Sequence, residues 1–254
     1  MDYIKNTLEI VSKIKDLAHR EGKSTGFCIG NTVKIDSNDI YFMPIRHTAV
    51  MVTGGAVVYS EQQAVDIAQA VDGKVKCVLV DAEKKISNSK DGVLSNVERM
   101  VRENITMSSL WVYKGNDLSV EAVDGLLTQV TKNDTRGIGG KKIAILGAGN
   151  LGTKLALKLV ERGAHVVITR RNKEMLELIT KALNFIKPVN TEERVECTTD
   201  NEEAVMGAEI LIGTTPGIPV ITSDMICRLA DNSIIIDVGK GSLFPDALKA
   251  AENR

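Results

Sequence analysis

The chain has 254 residues, of which 43% are hydrophobic and 26% charged, and its formal net charge is -1. This length allows two domains that each bury a core, and the near-neutral charge argues against nucleic acid as the main partner. No apolar run approaches the roughly 20 residues that a membrane helix needs, and the charged N-terminal segment is unlike a signal peptide, so we expect a cytoplasmic protein without membrane contact.

The first half of the sequence alternates helical and strand patterns. The segment up to His19 has apolar residues at helical spacing, which predicts an N-terminal amphipathic helix. Further helices are predicted at 61–71, 90–104 and 119–130. Strands are predicted at 27–29, 32–35, 40–45, 49–59, 75–80 and 110–113. Asp117 or Ser119 would cap the last helix, and the polar, glycine-rich stretch 131–140 marks a domain boundary.

A phosphate-binding turn dominates the second half. The apolar run 143–146 is typical of a strand buried on both faces of a parallel sheet. A G-x-G-x-x-G pattern follows, formed by Gly147, Gly149 and Gly152. In such a pattern the first glycine permits a tight turn, the second lets backbone approach a pyrophosphate, and the third lets the next helix pack closely. That helix, with Asn150 and Leu151 in its first turn, would direct its N–H groups at the diphosphate.

Two arginines end the second strand of this unit. An NAD enzyme usually has an Asp or Glu there, which binds the ribose 2′-hydroxyl. This chain instead has Thr169, Arg170, Arg171 and Asn172. Because guanidinium groups bind phosphate in a bidentate way, the arginines favour the 2′-phosphate of NADP, and NAD is the less favoured cofactor. The alternative is that both arginines are solvated residues at the start of the next helix.

The remaining pattern predicts a doubly wound sheet. Helices alternate with further predicted strands at 165–169, 194–198, 208–213 and 233–238, which is typical of a parallel sheet in the order 3-2-1-4-5. Ligands of such sheets lie beyond the carboxyl ends of the strands. Thr214, Thr215 and Pro216 follow the end of one strand, and Val238 and Gly239 stand at the end of another, so we predict that these residues contact the cofactor. The alternative for the first of these loops is a simple turn.

The motifs GAGNLG, TRRN, GTTPGIPVIT and IIIDVG resemble the NADP-binding domain shared by shikimate dehydrogenases, glutamyl-tRNA reductases and methylene-tetrahydrofolate or methylene-tetrahydromethanopterin dehydrogenases. The resemblance lies in the second half only. In shikimate dehydrogenases the second strand ends in N-R-T, whose arginine holds the adenosine phosphate, and Arg170 stands at that place. Their N-A-T-P loop beside the nicotinamide is similar to residues 213–216. The resemblance implies chemistry in a cleft between a substrate domain and the nucleotide domain.

The resemblance also implies two catalytic candidates. Asn116 and Asp117 stand where shikimate dehydrogenases have an N-T-D that supplies a catalytic aspartate. Lys90 follows the strand at 75–80, near the place of the catalytic lysine in those enzymes. A lysine and a carboxylate can together move a proton to or from a carbonyl or hydroxyl during hydride transfer. The alternatives are a helix cap for Asp117 and a solvated side chain for Lys90.

The four cysteines indicate neither a disulfide framework nor a metal site. They are Cys28, Cys77, Cys197 and Cys227. They are far apart, form no C-x-x-C pair and have no histidine cluster nearby. We interpret them as ordinary buried thiols and predict no metal.

We predict an α/β chain in which a smaller α/β domain, residues 1–133, precedes a doubly wound parallel Rossmann domain, residues 134–254. The predicted function is an NADP-dependent oxidoreductase that transfers hydride between the nicotinamide and a small polar metabolite. The alternatives are a methylene-tetrahydropterin dehydrogenase and a non-catalytic regulatory protein that binds NADP. We expect a small-molecule substrate, no nucleic acid, no membrane, and a homo-oligomer.

Overall fold

A computed structural model of the chain describes residues 2–32, 40–83 and 96–253. The chain forms two compact units, residues 1–115 and 116–254. This division falls at the start of the helix that follows the first unit, whereas the sequence pattern places the domain boundary between residues 133 and 134. The domain boundary at 133 stays a prediction.

In its described residues, the first unit is a five-stranded sheet with three helices. Its elements are α1 (Asp2–Glu21), β1 (Ser24–Asn31), β2 (Tyr41–His47), β3 (Met51–Val58), α2 (Glu61–Val71), β4 (Cys77–Asp81), α3 (Val97–Asn104) and β5 (Ser109–Tyr113). The strand order is β2-β3-β1-β4-β5, in which β2 is antiparallel to β3 and the other pairs are parallel. Residues 33–35 of the predicted strand 32–35 and residues 90–95 of the predicted helix 90–104 lie outside the described residues.

The second unit is a doubly wound parallel sheet. Its elements are α4 (Gly115–Val130), β6 (Lys142–Leu146), α5 (Asn150–Glu161), β7 (His165–Thr169), α6 (Lys173–Ile186), β8 (Val195–Thr198), α7 (Asn201–Val205), β9 (Ile210–Gly213), α8 (Ser223–Cys227), β10 (Ile234–Asp237) and α9 (Pro245–Glu252). The strand order is β10-β9-β6-β7-β8, and every pair is parallel. This confirms the α/β fold class and the predicted order 3-2-1-4-5.

Both faces of the second sheet are covered. Along β6, Ile143 and Ile145 pack into one apolar cluster, while Ala144 and Leu146 pack into another on the opposite face. Because a strand alternates its side chains between faces, a strand buried on both sides must be apolar at every position. This explains the uninterrupted apolar run that the sequence shows before the glycines.

The strand register brings the carboxyl ends of four strands to one edge of the second sheet. Leu146 pairs with Thr169 on β7 and with Gly213 on β9, and Thr169 pairs in turn with Thr198 on β8. Each of these residues is the last of its strand. The loops that follow β6, β7, β8 and β9 therefore lie side by side at the carboxyl edge, where ligands of such sheets bind.

Helix α4 begins earlier than the sequence pattern indicates. It starts at Gly115, so Asp117 and Ser119 lie inside the helix, and the prediction that one of them is its N-cap is wrong. The backbone N–H of Gly115 donates to a carboxylate oxygen of Asp81 at 3.3 Å. The first N–H groups of a helix have no partner within it, so this contact from the end of β4 helps the helix to start at a glycine.

The cysteines differ in exposure. Cys77 is buried, whereas Cys227 is exposed, so the prediction of buried thiols is wrong for Cys227. Burial raises the pKa of the Cys28 thiol to about 11, which keeps it protonated and unreactive at neutral pH. Within the described ranges, no group of His, Cys, Asp and Glu side chains could hold a metal ion, and no helix has both the length and the apolar character of a membrane span.

Candidate nucleotide-binding site

Each of the three glycines in the turn between β6 and α5 is a glycine for a different structural reason. Gly147 has a φ of +116°, and a Cβ there would lie 2.9 Å from the hydroxyl of Thr214. A Cβ on Gly152 would lie 2.2 Å from the carbonyl oxygen of Gly147. A Cβ on Gly149 would meet nothing within 4 Å. The fold itself therefore requires the first and third glycines, while the second keeps open a space that a ligand can use.

The turn presents the N-terminus of α5 to that space. The N–H of Ala148 donates to the carbonyl oxygen of Thr169 at 2.7 Å, which ties the turn to the end of β7. Gly149 is the N-cap of α5 and supplies no side-chain cap. The first N–H groups of the helix, from Asn150 and Leu151 onward, therefore have no capping side chain, as is usual at a phosphate-binding helix.

A cavity of about 470 Å³ adjoins the turn. Its lining comes from the loops after β6, β7, β8 and β9: Leu146, Gly147, Ala148, Gly149, Thr169, Arg170, Arg171, Asn172, Thr199, Asn201, Thr214, Thr215, Pro216, Ile218 and Val220. These residues include two arginines, two asparagines and four threonines, but neither Asp nor Glu. The cavity is therefore rich in hydrogen-bond donors and free of carboxylates, which suits an anionic ligand.

The two arginines at the end of β7 lie at this cavity. Arg170 is half-buried, and its Nη1 donates to the carbonyl oxygen of Ala148 at 2.6 Å. Arg171 is exposed. Among the described residues, neither arginine has an ion pair with a carboxylate. Both guanidinium groups thus retain donors and a positive charge that an anion can use.

Two asparagines in the cavity have their amide oxygens engaged. Asn172 caps α6, its Oδ1 accepting from the N–H of Met175 at 2.9 Å. The Oδ1 of Asn201 accepts from the hydroxyl of buried Thr169 at 2.7 Å. An amide whose oxygen is held in this way offers its nitrogen, a donor, to a ligand. Asn201 is absent from the residues predicted from the sequence, although its place just beyond the end of β8 could have indicated it.

The loop after β9 is pinned to the glycine turn. The Thr214 hydroxyl donates to the carbonyl oxygen of Gly147 at 2.7 Å, and the Thr215 hydroxyl donates to that of Ile218 at 2.7 Å. Pro216 lines the cavity beside them. Both threonine hydroxyls thus act within the protein, and Thr214 in particular holds together the two loops that form one wall.

Sequence comparison agrees with this geometry. Residues 142–241 match the model of a family described as NADP oxidoreductase, coenzyme F420-dependent. The second unit is an NADP-binding Rossmann domain. The expectation of an NAD(P)-binding Rossmann domain in the second half is thereby confirmed. The expected cofactor, NADP, is the cofactor that the description of the matched family names. The family model differs in name from the dehydrogenases that the sequence motifs resemble.

Relatives match the same half of the chain. Glycerol-3-phosphate dehydrogenase [NAD(P)+] from Bacillus subtilis is 28% identical over 113 residues, which are 42% of this chain and 32% of the relative. The enzyme of that name from Thermoanaerobacter is 33% identical over 104 residues, 39% of this chain and 32% of the relative. The match thus spans about a third of these relatives. Among solved structures, phosphoglycerate dehydrogenase from Lactobacillus plantarum aligns with a TM-score of 0.40 and 16% identity, over 71% of this chain and 59% of that chain.

Val238 and Gly239 are not among the residues that line the Rossmann cavity. The N–H of Val238 donates to the carbonyl oxygen of Gly213 at 2.9 Å. A Cβ on Gly239 would lie 1.9 Å from the carbonyl oxygen of Thr215, so only glycine lets the two loops approach this closely. The structure therefore gives both residues a supporting position, and their contact with the cofactor stays a prediction.

Of the two catalytic candidates, Asp117 lies within the described residues and Lys90 does not. Asp117, in the first turn of α4, accepts a short hydrogen bond from the Nζ of Lys154 on α5. It begins a ladder of ion pairs between the two helices, continued by Glu121–Lys158 at 2.8 Å and by Asp124–Arg162. Asp117 thus has a structural partner in the Rossmann domain. Lys90 lies outside the described residues.

Proposed function

We propose that the chain is an NADP-dependent oxidoreductase that transfers hydride between the nicotinamide and a small polar metabolite. One observation carries the proposal: the cavity corner after β7 and β8 holds Arg170, Arg171, Asn172 and Asn201 and no carboxylate. In NAD enzymes a carboxylate at the end of this second strand binds the 2′-hydroxyl. Two guanidinium groups and two amide nitrogens instead suit the 2′-phosphate.

The rest of the cavity fits the same cofactor. The open space at Gly149 admits a pyrophosphate, and the N-terminus of α5 supplies N–H groups to it. Pro216 and Ile218 add apolar surface on the wall formed by the loop after β9. When bound, NADP supplies the hydride chemistry. The protein's own residues then bind the two phosphate positions and hold the loops in place.

The substrate and the groups that move protons belong to the proposal as well. Matching relatives are named dehydrogenases, and a small-molecule substrate is consistent with their names. We assign substrate binding to the first unit and proton transfer to Asp117 and Lys90, as the resemblance to shikimate dehydrogenases implies. The homo-oligomeric state and the cytoplasmic location stay predictions.

A methylene-tetrahydropterin dehydrogenase is the second candidate. Such an enzyme oxidises an already activated one-carbon bridge and needs little general acid or base catalysis. The ion pair between Asp117 and Lys154 favours it, because a carboxylate held in a salt bridge is a weaker candidate for proton transfer. A regulatory protein that binds NADP without turnover is the remaining alternative, and turnover of any substrate would exclude it.

The test is a titration of the pure protein with NADPH and, separately, with NADH, followed by nicotinamide fluorescence. We expect NADPH to bind at least about tenfold more tightly, a difference of about 1.4 kcal/mol. Equal affinities would contradict recognition of the 2′-phosphate, and no binding of either nucleotide would contradict the proposed function. Formation of NADPH from NADP+ with shikimate-like acids, amino-acid derivatives or methylene-pterins would then separate the two enzyme candidates.

A further inference from the structure

Among the residues that the structure describes, helix α6 of the second unit packs through one of its sides. Leu176 and Leu183 are buried on that side, and Ile179 is partly buried beside them. The helix packs there against β8, the edge strand of the sheet. A helix that covers one face of a sheet usually carries polar residues on its other side.

The outer side of α6 is instead apolar. It carries a stripe that we name the α6 apolar face: Met175, Leu178, Phe185, Ile186 and, just beyond the helix, Val189. Leu178 is 62% exposed, Phe185 88% and Val189 98%. Helical spacing keeps the four of these side chains that belong to α6 on one side of the helix. Contiguous exposed apolar surface of this kind marks an interaction site more often than it marks free surface.

The charges along α6 are self-complementary. Residues 173–177 carry one lysine and two glutamates, whereas residues 181–187 carry two lysines and no acid. Lys173 pairs with Glu177 at 3.9 Å within the helix. Within the described ranges, no ion pair is found for Glu174 or Lys181. In an antiparallel pairing of two α6 helices, the acidic half of each would lie against the basic half of the other.

We propose that the α6 apolar face is the surface by which two copies of this chain pair, with their α6 helices antiparallel. A two-fold axis brings the same patch of both copies together, so the patch must be complementary to itself. The apolar stripe provides the buried contact. The opposite charges of the two helix halves select the antiparallel arrangement over a parallel one, which would place Glu174 against Glu174.

The experiment measures molecular mass by sedimentation equilibrium or light scattering, over a roughly hundredfold range of protein concentration. We expect the unaltered protein to be dimeric, and Leu178→Glu and Phe185→Glu to weaken dimerisation at least tenfold. Val50→Glu, which changes an exposed apolar residue of the first unit, is the matched control and should leave the dimer intact. Far-UV circular dichroism and thermal unfolding check that each variant is folded.

Charge reversal tests the arrangement. Glu174→Lys alone and Lys181→Glu alone should each weaken the dimer, and the double variant should recover it. The proposal is overturned if the unaltered protein is monomeric at every concentration, if its dimer survives Leu178→Glu and Phe185→Glu, or if the double charge reversal gives no recovery. None of these outcomes depends on whether the protein binds NADP.

Discussion

Arg170 donates a hydrogen bond of 2.6 Å from its guanidinium group to the carbonyl oxygen of Ala148 in the glycine turn. The side chain that would bind the 2′-phosphate is therefore also attached to the turn that would bind the pyrophosphate. Arg171, the next residue, is exposed and makes no such contact among the described residues. The two arginines are accordingly expected to behave differently when they are replaced.

Arg171→Ala should weaken NADPH binding by about 1 to 3 kcal/mol and leave NADH binding almost unchanged, because only a charge-assisted contact to the phosphate is lost. Arg170→Ala should weaken NADPH more than NADH but lower both affinities, since the glycine turn also loses a support. Nucleotide titrations measure both effects. Arg99→Ala, which removes an exposed arginine paired with Glu103 in the first unit, is the control. Equal losses for both nucleotides in Arg171→Ala would contradict this role.

Asn201→Asp distinguishes the role of the amide oxygen, which accepts from Thr169, from that of the amide nitrogen, which we expect to donate to the phosphate. The aspartate keeps an oxygen for the Thr169 hydroxyl, but it replaces the amide nitrogen by a second acceptor and adds a negative charge. We expect NADPH affinity to fall at least about tenfold, or about 1.4 kcal/mol, and NADH affinity to fall much less. Asn190→Asp, which changes an exposed asparagine outside the cavity, controls for the added charge. An unchanged preference for NADPH would show that Asn201 is structural only.

Gly149→Val should abolish nucleotide binding while the protein remains folded. A Cβ at this position would meet no protein atom within 4 Å, and the valine side chain would occupy the space that the pyrophosphate needs. Gly152→Ala should do the opposite and lower the melting temperature, because its Cβ would lie 2.2 Å from the carbonyl oxygen of Gly147. Thermal unfolding and NADPH titration of both variants check the pair. Retained NADPH affinity in Gly149→Val would mean that the turn is not the phosphate site.

Asp117→Asn tests catalysis against helix pairing. The ion pair with Lys154 is partly exposed, so its loss should cost at most about 1 kcal/mol of unfolding free energy. Glu121→Gln removes the neighbouring pair with Lys158 and is the matched control. If Asp117 moves a proton, its variant alone should lower kcat with an unchanged affinity for NADPH. Equal stability losses and normal turnover in both variants would assign Asp117 to helix pairing.

Asp72 should make the first unit sensitive to acid. Burial raises its pKa, but hydrogen bonds from the N–H groups of Ser108, Thr106 and Met107 and from the Thr106 hydroxyl outweigh burial and hold the pKa well below its usual value. A depressed pKa stabilises the folded state above the unfolded-state pKa of about 3.9, and this contribution is lost as pH falls towards the folded-state pKa.

Asp72→Asn should therefore lower the unfolding free energy by about 1 kcal/mol at pH 7, because one charged acceptor of several hydrogen bonds is lost. The variant should differ less from the unaltered protein at pH 3, where the native carboxylate has begun to lose its advantage. Urea unfolding at both pH values measures this, with exposed Asp16→Asn as the control. A stability difference that is the same at both pH values would contradict the assignment.

The sequence by itself determined the features that rest on short-range chemistry. The glycine spacing at 147, 149 and 152, the apolar run before it and the alternation of strands with helices were enough to predict the Rossmann sheet and its strand order. The arginines after β7 were found because they replace an expected carboxylate. Each of these signals lies within a few residues of the chain, where turn geometry and periodicity restrict the possible structures.

Tertiary structure alone decided the contacts between distant residues. Thr169 orients Asn201 across 32 positions, and Lys154 pairs with Asp117 across 37. Helix α4 starts at Gly115 with the help of a carboxylate from β4, against the weak helical preference of glycine. No local pattern encodes such contacts, because they arise only when parallel strands bring their carboxyl ends to one edge and helices pack across them.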